Sequence, residues 1–283
     1  MARNRRGESE AEISRKLEEK RGSGHGRDYT PWYYATELSS RGKCSRPFGT
    51  KTRRVHHFLS DGERDYFLIL DWSKKVVDIR EQYPLLPRER TVEICGQLNI
   101  SYPVDPHTRA VRVLTTDFLI DIEKNGQTHR IARSFKMAND LGDERTLEKL
   151  EIERRYWETQ GIDWGIVTER HLPDVLVKNL EWLSRIYDLD DVVLSPQQIG
   201  EIQAVLEDPI RRHAGTLRNL CRDAEARLSL APGTALTAVR HLLARRIWTV
   251  DMNRQIQPNQ VLPVLVMTPS QYGTYDQQSR RVA

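Results

Sequence analysis

The stretch TTDFLIDIEKNGQTHRIARSFK, residues 115–136, constrains this chain more tightly than any other. Two strand-like runs flank Asn125 and Gly126. An Asn-Gly pair in that setting favours a two-residue type I′ turn, because both central residues must take a positive φ. Such a turn fixes the register. Lys124 faces Gln127, and each pair further out keeps the residue numbers summing to 251. Asp117 then falls opposite Ser134, and Thr115 opposite Lys136. Side chains alternate between faces along a strand. Asp117, Ser134 and Lys136 are therefore expected on one face, and Phe118, Ile120 and Ile122 on the other, as core. Directly opposed Cβ atoms lie about 5 Å apart and diagonal ones about 7–8 Å, within reach of a lysine.

A carboxylate and an ammonium held together in this way have two uses. The plainer one is a cross-strand ion pair. The other is phosphodiester hydrolysis, in which carboxylates hold a divalent ion that polarises the phosphate, and a lysine stabilises developing charge or orients the attacking water. Two more carboxylates bear on the choice. Glu63 lies three residues after Ser60, at the start of the helical stretch SDGERDYFLILDW, and the pair reads as a capping box. Glu153 lies on the helix ERTLEKLEIERRYWETQ. At 100° per residue it projects between Tyr156 and Trp157, beside a stripe of Leu147, Leu150 and Trp157. It is either an inward ligand or a solvated edge residue, and the edge is the simpler expectation.

The order of elements around the hairpin is that of an α/β fold with a mixed sheet. A short helix at 9–20 ends at the glycines of RGSGHGR. The 28–57 stretch is basic and loop-rich. The Ser60 helix follows, then the strand VVDIREQYPLL, closed by Pro84 and Pro87. Residues 88–110 read as irregular. After the hairpin come the helix capped by Asp143 and a buried-type strand, IDWGIVT. Beyond Thr168 the texture is mainly helical, with a Ser-Pro helix entry at Ser195. A strand-like WTVDM and VLPVLVM close it, and several helices followed by a small ribbon is the order of a winged helix-turn-helix. The expected division is a basic segment 1–57 belonging to the first domain, a catalytic body 58–168, a C-terminal domain 169–268, and a mobile tail 269–283.

Charge is unevenly spread. Residues 1–57 hold 14 Lys and Arg against 7 Asp and Glu, a surplus of seven, so the remainder of this +4 chain carries −3. Basicity at one end suits a polyanion, because Lys and Arg displace counterions from phosphates. Tyr29, Trp32, Tyr33 and Tyr34 argue against a mere solubilising arm. Within this segment Arg53, Arg54 and His56 are the candidate DNA contacts. His56 and His57 point to opposite sides of an extended chain, so they form no metal pair. The GxGxG of Gly22, Gly24 and Gly26 lacks the strand-turn-helix setting of a nucleotide site. Arg240, Arg245 and Arg246 suit DNA, a solvated face or a protein partner equally well. The three cysteines form no CxxC, which fits a reducing cytoplasm. No apolar run has the length of a membrane span, and MARNRRGESEAE has no apolar core to serve as a signal peptide.

Taken together, VHHFLSDGERDYFLILDW, VVDIREQYPLLP, TTDFLID and DERTLEKLEIERRYWETQGIDWGIVT resemble the TnsA family, the endonuclease subunits of Tn-seven-like heteromeric transposases. The resemblance covers most of residues 10–185. It implies a restriction-endonuclease-like first domain and a winged-helix-like second one. It also implies Mg²⁺-dependent cutting of double-stranded DNA at the 5′ ends of a transposon, in the bacterial cytoplasm at the nucleoid. Implied partners are a TnsB-like recombinase at the 3′ ends and a TnsC-like AAA+ ATPase contacting the C-terminal domain. The motif glutamate falls on Glu63, the aspartate on Asp117 and the lysine on Lys136, with Glu153 on a further acidic position. One residue departs. Two positions before the lysine the nuclease motif carries Glu and the family Gln, where this chain has Ser134. A serine hydroxyl is a shorter and weaker metal ligand, and the backbone carbonyl of Phe135 is an alternative source. Three readings therefore stay open: an active subunit, a catalytically silent one that assembles the transposase on DNA, and a stand-alone restriction-type endonuclease.

Overall fold

The computed structural model describes residues 8–37, 44–105, 108–184, 186–187 and 194–268. The expected mobile tail, 269–283, lies outside the described residues. The chain separates into two compact units, residues 1–172 and 173–283.

The first unit begins with α1 (Glu10–Glu18), capped by Ser9, whose side chain accepts from the Glu12 amide. A two-residue ribbon follows, β1 (Phe48–Gly49) with β2 (Arg54–Val55). Then come α2 (Asp61–Trp72), β3 (Val76–Pro84), α3 (Arg88–Leu98), β4 (Thr115–Lys124), β5 (Gln127–Phe135), α4 (Glu144–Glu158) and β6 (Asp163–Val167). The sheet order is β3-β4-β5-β6. The first three strands are antiparallel neighbours, and β6 runs parallel to β5, so the sheet is mixed as expected. Crossing from β5 to a parallel neighbour requires a long connection, and α4 provides it.

Both faces of this sheet are covered. On one, Phe67 and Leu70 of α2 pack with Phe58 against Val76, Ile79, Phe118, Ile120 and Phe135. On the other, Ile94 and Cys95 of α3 and Ile152, Tyr156 and Trp157 of α4 pack against Leu85, Leu119 and Ala132. Each large side chain taken fully out of water contributes about 1.5–3 kcal/mol. Helix, sheet and helix thus form three layers.

The hairpin register holds without a break from Lys124–Gln127 to Phe118–Arg133. Asn125 and Gly126 have φ of 55° and 74°, the pair of positive angles a type I′ turn demands. Three expectations need correction. Residues 88–98 are helical, not irregular. Thr91, Ile94, Cys95 and Leu98 fall on one helical face beneath a polar surface, and Asn99 ends the helix in the left-handed conformation. The strand at 163–167 is a half-buried sheet edge rather than a buried strand. Leu147 is 46% exposed, so the buried stripe of α4 runs instead through Leu150, Ile152, Tyr156 and Trp157.

In the second unit, α5 (Asp174–Leu183), α6 (Pro196–Arg211), α7 (Leu217–Leu228) and α8 (Thr234–Ala244) precede a ribbon of β7 (Trp248–Val250) and β8 (Val264–Met267). Ser195 and Gln198 close a reciprocal capping box, with Pro196 in the first turn of α6. The core includes Ile199, Ile202, Leu206, Val239, Leu242 and Trp248. Arg240 donates to the Trp182 carbonyl and lies over its ring, and Arg245 lies over Tyr187. Both guanidinium groups serve the fold of this unit. Among the described residues no helix is long and apolar enough to cross a membrane.

Candidate active site

Glu63 is placed by the N-terminus of α2. Ser60 caps the helix by accepting from the Glu63 amide at 3.2 Å. The expected box is only half formed, because the Glu63 carboxylate does not return to the Ser60 amide. It accepts instead from Ser60 Oγ at 2.8 Å, from the Leu59 amide at 3.2 Å and from Gln82 Nε2 at 3.3 Å. The helix end sits close on β5. A Cβ added at Gly62 would meet the Phe135 ring at 2.1 Å. Only glycine allows this approach, and it brings the neighbouring glutamate down beside the sheet.

Asp117 lies one step beyond the last regular pair of the hairpin. Its Oδ2 accepts from the Phe135 amide and from Lys136 Nζ, each at 2.8 Å. A carboxylate has thus taken a backbone donor of the opposite strand, and β5 leaves β4 for β6 at this level. Lys136 Nζ also donates to the Phe135 carbonyl at 2.8 Å. Its ammonium therefore spans two oxygens that the sequence reading assigned to a metal ion.

Glu153 is buried, not a solvated edge. Its Oε2 accepts from Thr116 Oγ1 at 3.1 Å and, in a short bond, from Ser134 Oγ. Trp157 Nε1 donates to Thr116 Oγ1 at 2.7 Å, and Trp164 Nε1 donates to Ser134 Oγ at 3.2 Å. Ser134 is fully buried. It gives its one proton to Glu153 and takes one from Trp164, so it orients a helix carboxylate from the strand. Thr116, Trp157, Trp164 and Gln82 belong to this arrangement, and none was singled out in the sequence. The indoles read there as core, and nothing local marks a hydroxyl as the support of a distant glutamate.

One ammonium thus feels three carboxylates, Asp117 by direct contact and Glu153 and Glu63 through their charge. Burial, and then the charge of Asp117, push the Glu63 carboxyl up to about 7. Burial likewise pushes Glu153 up to about 7, with Lys136 opposing and Asp117 adding to the shift. For Lys136, burial works to lower the pKa, but Asp117, then Glu153 and Glu63, hold the ammonium well above its usual range. The site carries more negative charge than its one lysine offsets.

The proposed DNA contacts divide. Arg53 is exposed. Arg54 and His56 point into the protein, and their expected role as surface phosphate contacts conflicts with that placement. Arg54 reaches both oxygens of Glu81 and the Ile79 carbonyl, and His56 Nδ1 lies 2.7 Å from Glu81 Oε2 and its Nε2 2.7 Å from Thr52 Oγ1. Glu81 is fully buried, and a buried carboxylate needs partners of this kind. A second group, His25, Asp78 and Asp121, brings ligand atoms within 4.8 Å of one another. Arg80 lies between its two carboxylates, 3.3 Å from Asp78 and 2.6 Å from Asp121, and Arg130 adds a second cation at 2.9 Å from Asp121. That charge is already offset, and the group reads as an ion-pair network.

Comparison with known proteins gives concordant matches. A family model described as the TnsA-like endonuclease N terminal matches residues 73–169, and one for the TnsA endonuclease C terminal matches residues 171–252. The transposon Tn7 transposition protein TnsA of Escherichia coli is 38% identical over 252 residues, 89% of this chain and 89% of that protein.

Proposed function

This chain belongs to the TnsA endonuclease family, and from that premise we propose that it hydrolyses phosphodiester bonds at the 5′ ends of a transposon, with Mg²⁺ as cofactor. The observation that carries the reading is Lys136 bridging Asp117 and the Phe135 carbonyl, with the buried Glu63 and Glu153 carboxylates near enough for their charges to act on it. This donor set is all oxygen and has surplus negative charge, which fits a hard divalent cation.

Glu63, Asp117 and the Phe135 carbonyl would hold the ion, with Glu153 as the further carboxylate and Ser134 as its support. When bound, a divalent ion polarises the phosphate and makes water a better nucleophile near neutral pH. Lys136 then stands beside the reacting phosphate, where its ammonium stabilises the charge that develops as water adds to phosphorus and the ester oxygen leaves. Glu153, the carboxylate outside that ligand set, is the candidate to take a proton from that water. Arg53 is the candidate phosphate contact outside the site. We assign the first unit a restriction-endonuclease-like fold. We assign the second a winged-helix-like role in docking partners, a TnsB-like recombinase at the 3′ ends and a TnsC-like AAA+ ATPase.

The test is strand-specific cleavage of transposon ends with partner proteins and Mg²⁺. Wild type is expected to cut 5′ ends, Asp117→Ala to lose at least about 100-fold, the scale on which loss of a charge-stabilising group acts, and Glu153→Gln to lose activity less completely. Wild-type activity in Asp117→Ala refutes the site. Normal 3′-end processing without any 5′ cut by wild type supports the silent, assembling role instead. Cutting without partners supports the stand-alone endonuclease.

A further inference from the structure

β3 contains a residue in the wrong conformation for a strand. Gln82 has a φ of 48°. Its neighbours stay in register, Glu81 with Phe118 and Tyr83 with Thr116, which places Gln82 level with Asp117. Non-glycine residues avoid this region of backbone space, and those that occupy it cluster where function has placed them. Nothing in the turn chemistry of this strand asks for it.

The consequence is a change of face. Before Gln82, Ile79 packs under α2. After it, Tyr83 and Leu85 pack under α3 and α4, although all three have odd numbers. β4 turns with it. Phe118 faces the α2 layer, while Thr116, also even, bonds to Glu153 and Trp157 of α4. Glu63 rides on the helix of one layer and Glu153 on the helix of the other. The two carboxylates therefore approach from opposite layers at the level where the sheet turns over, and Gln82 sits at that turn.

Its side chain is also committed there. Gln82 is 2% exposed. Its Nε2 donates to Glu63 Oε2 at 3.3 Å, and its Oε1 accepts from Thr115 Oγ1 at 3.4 Å. Its backbone carbonyl accepts from the Trp32 amide at 3.2 Å, so the N-terminal segment braces the same residue. The ionised Glu63 carboxylate only accepts, so it takes the Nε2 end of the amide and leaves Oε1 to accept from the Thr115 hydroxyl.

We propose that Gln82 is a positioning residue of the hydrolytic site, holding Glu63 toward Asp117 across the turned strand. The inference rests on the endonuclease reading above and adds a residue to it. Asparagine and glycine both accept a left-handed φ, but neither reaches Glu63. Gln82→Asn and Gln82→Gly therefore keep the turn and remove the clamp. Both should melt within a few degrees of wild type, bind DNA with unchanged KM, and lose about tenfold or more in kcat, in the range seen when residues supporting metal ligands are removed. Calorimetric titration with Mn²⁺, which needs no cleavage, should show several-fold weaker binding. Thr115→Val, which frees only the amide oxygen, should move both readouts the same way by less, and it carries the test if the Gln82 variants do not fold. Wild-type kcat and Mn²⁺ affinity in Gln82→Asn, or in Thr115→Val where that variant carries the test, overturn the inference alone. Wild-type protein that neither cuts nor binds Mn²⁺ overturns the endonuclease reading and this inference with it.

Discussion

Removing divalent ions should make the stability of this protein depend on pH in a direction opposite to ordinary acid denaturation. Glu63 and Glu153 are both pushed up to about 7, chiefly by burial. A carboxyl whose folded pKa lies above its unfolded value binds more protons when folded. It therefore contributes stability that is complete below the unfolded pKa and is lost as pH rises through the folded one. The window runs from near 4.5 to near 7. Between pH 6 and pH 8 each such group would cost about 1 kcal/mol, so the two together cost about 2 kcal/mol, a little less where their titrations interfere. In a unit of this size about 2 kcal/mol moves the melting temperature by about 4–8 °C. Thermal melts in EDTA at pH 6 and pH 8, for wild type and for the double variant Glu63→Gln/Glu153→Gln, isolate this contribution, because every other titrating group cancels in the comparison. Wild type should lose more stability over the interval than the double variant does. Mg²⁺ should flatten the wild-type dependence, since a cation among the carboxylates favours their charged forms. Equal pH dependence in the two proteins in EDTA would falsify the assignment of these shifts.

Other perturbations follow from single contacts. Gly62→Ala drives a methyl into the Phe135 ring. It should cost about 1–3 kcal/mol in denaturant melts and slow cleavage by moving the Glu63 helix end, and an unperturbed melt would mean the approach is looser than described. Burial works to raise the Glu81 carboxyl, but His56 and Arg54 outweigh it and hold it well below the usual range. Its stability contribution is then present above the unfolded pKa near 4.5 and lost as pH falls below it. Glu81→Gln should cost about 3–5 kcal/mol near neutral pH by leaving Arg54 uncompensated, and should shift the acid-unfolding midpoint; an unchanged midpoint refutes it. Ser134→Ala removes the hydroxyl donor to Glu153 and should lower cleavage and Mn²⁺ affinity by about 10–100-fold, while equal values in both assays would make Ser134 a passive filler.

Sequence was informative where the determinant was local. The Asn-Gly turn carried the hairpin register, and with it the placing of Asp117, Ser134 and Lys136 near one another. Ser60, Asp143 and Ser195 marked their helix starts because a cap is a contact between residues two or three apart. Failures came where tertiary contacts decide. Residues 88–98 have a helical stripe that mixes Thr, Ile, Cys and Leu with charged neighbours, and it becomes a helix by packing beside α4. Arg54 and His56 looked like surface charge because their partner, Glu81, lies 25 or more residues away. The face change at Gln82 was invisible for a different reason. Alternation assumes an extended strand throughout, and one left-handed residue breaks the count.

Ser134 looks different once Glu153 has been placed. On the sequence alone, a serine two positions before the motif lysine suggests a site that has lost a ligand. In the structure its Oγ donates to the Glu153 carboxylate in a fully buried position, so the strand position is tied to a helix carboxylate. The hydroxyl donates to the carboxylate that α4 brings to the sheet, and Trp164, as a donor to Ser134 Oγ, leaves the hydroxyl's proton free to point at it. Ser134 and Glu153 therefore act as one unit, and the chemistry of the strand position has to be judged on the pair. This also explains why Glu153 tolerates burial at all. Thr116 and Ser134 are both donors to it, Lys136 lies near, and a glutamate so surrounded is worth its desolvation only where something will make use of its charge.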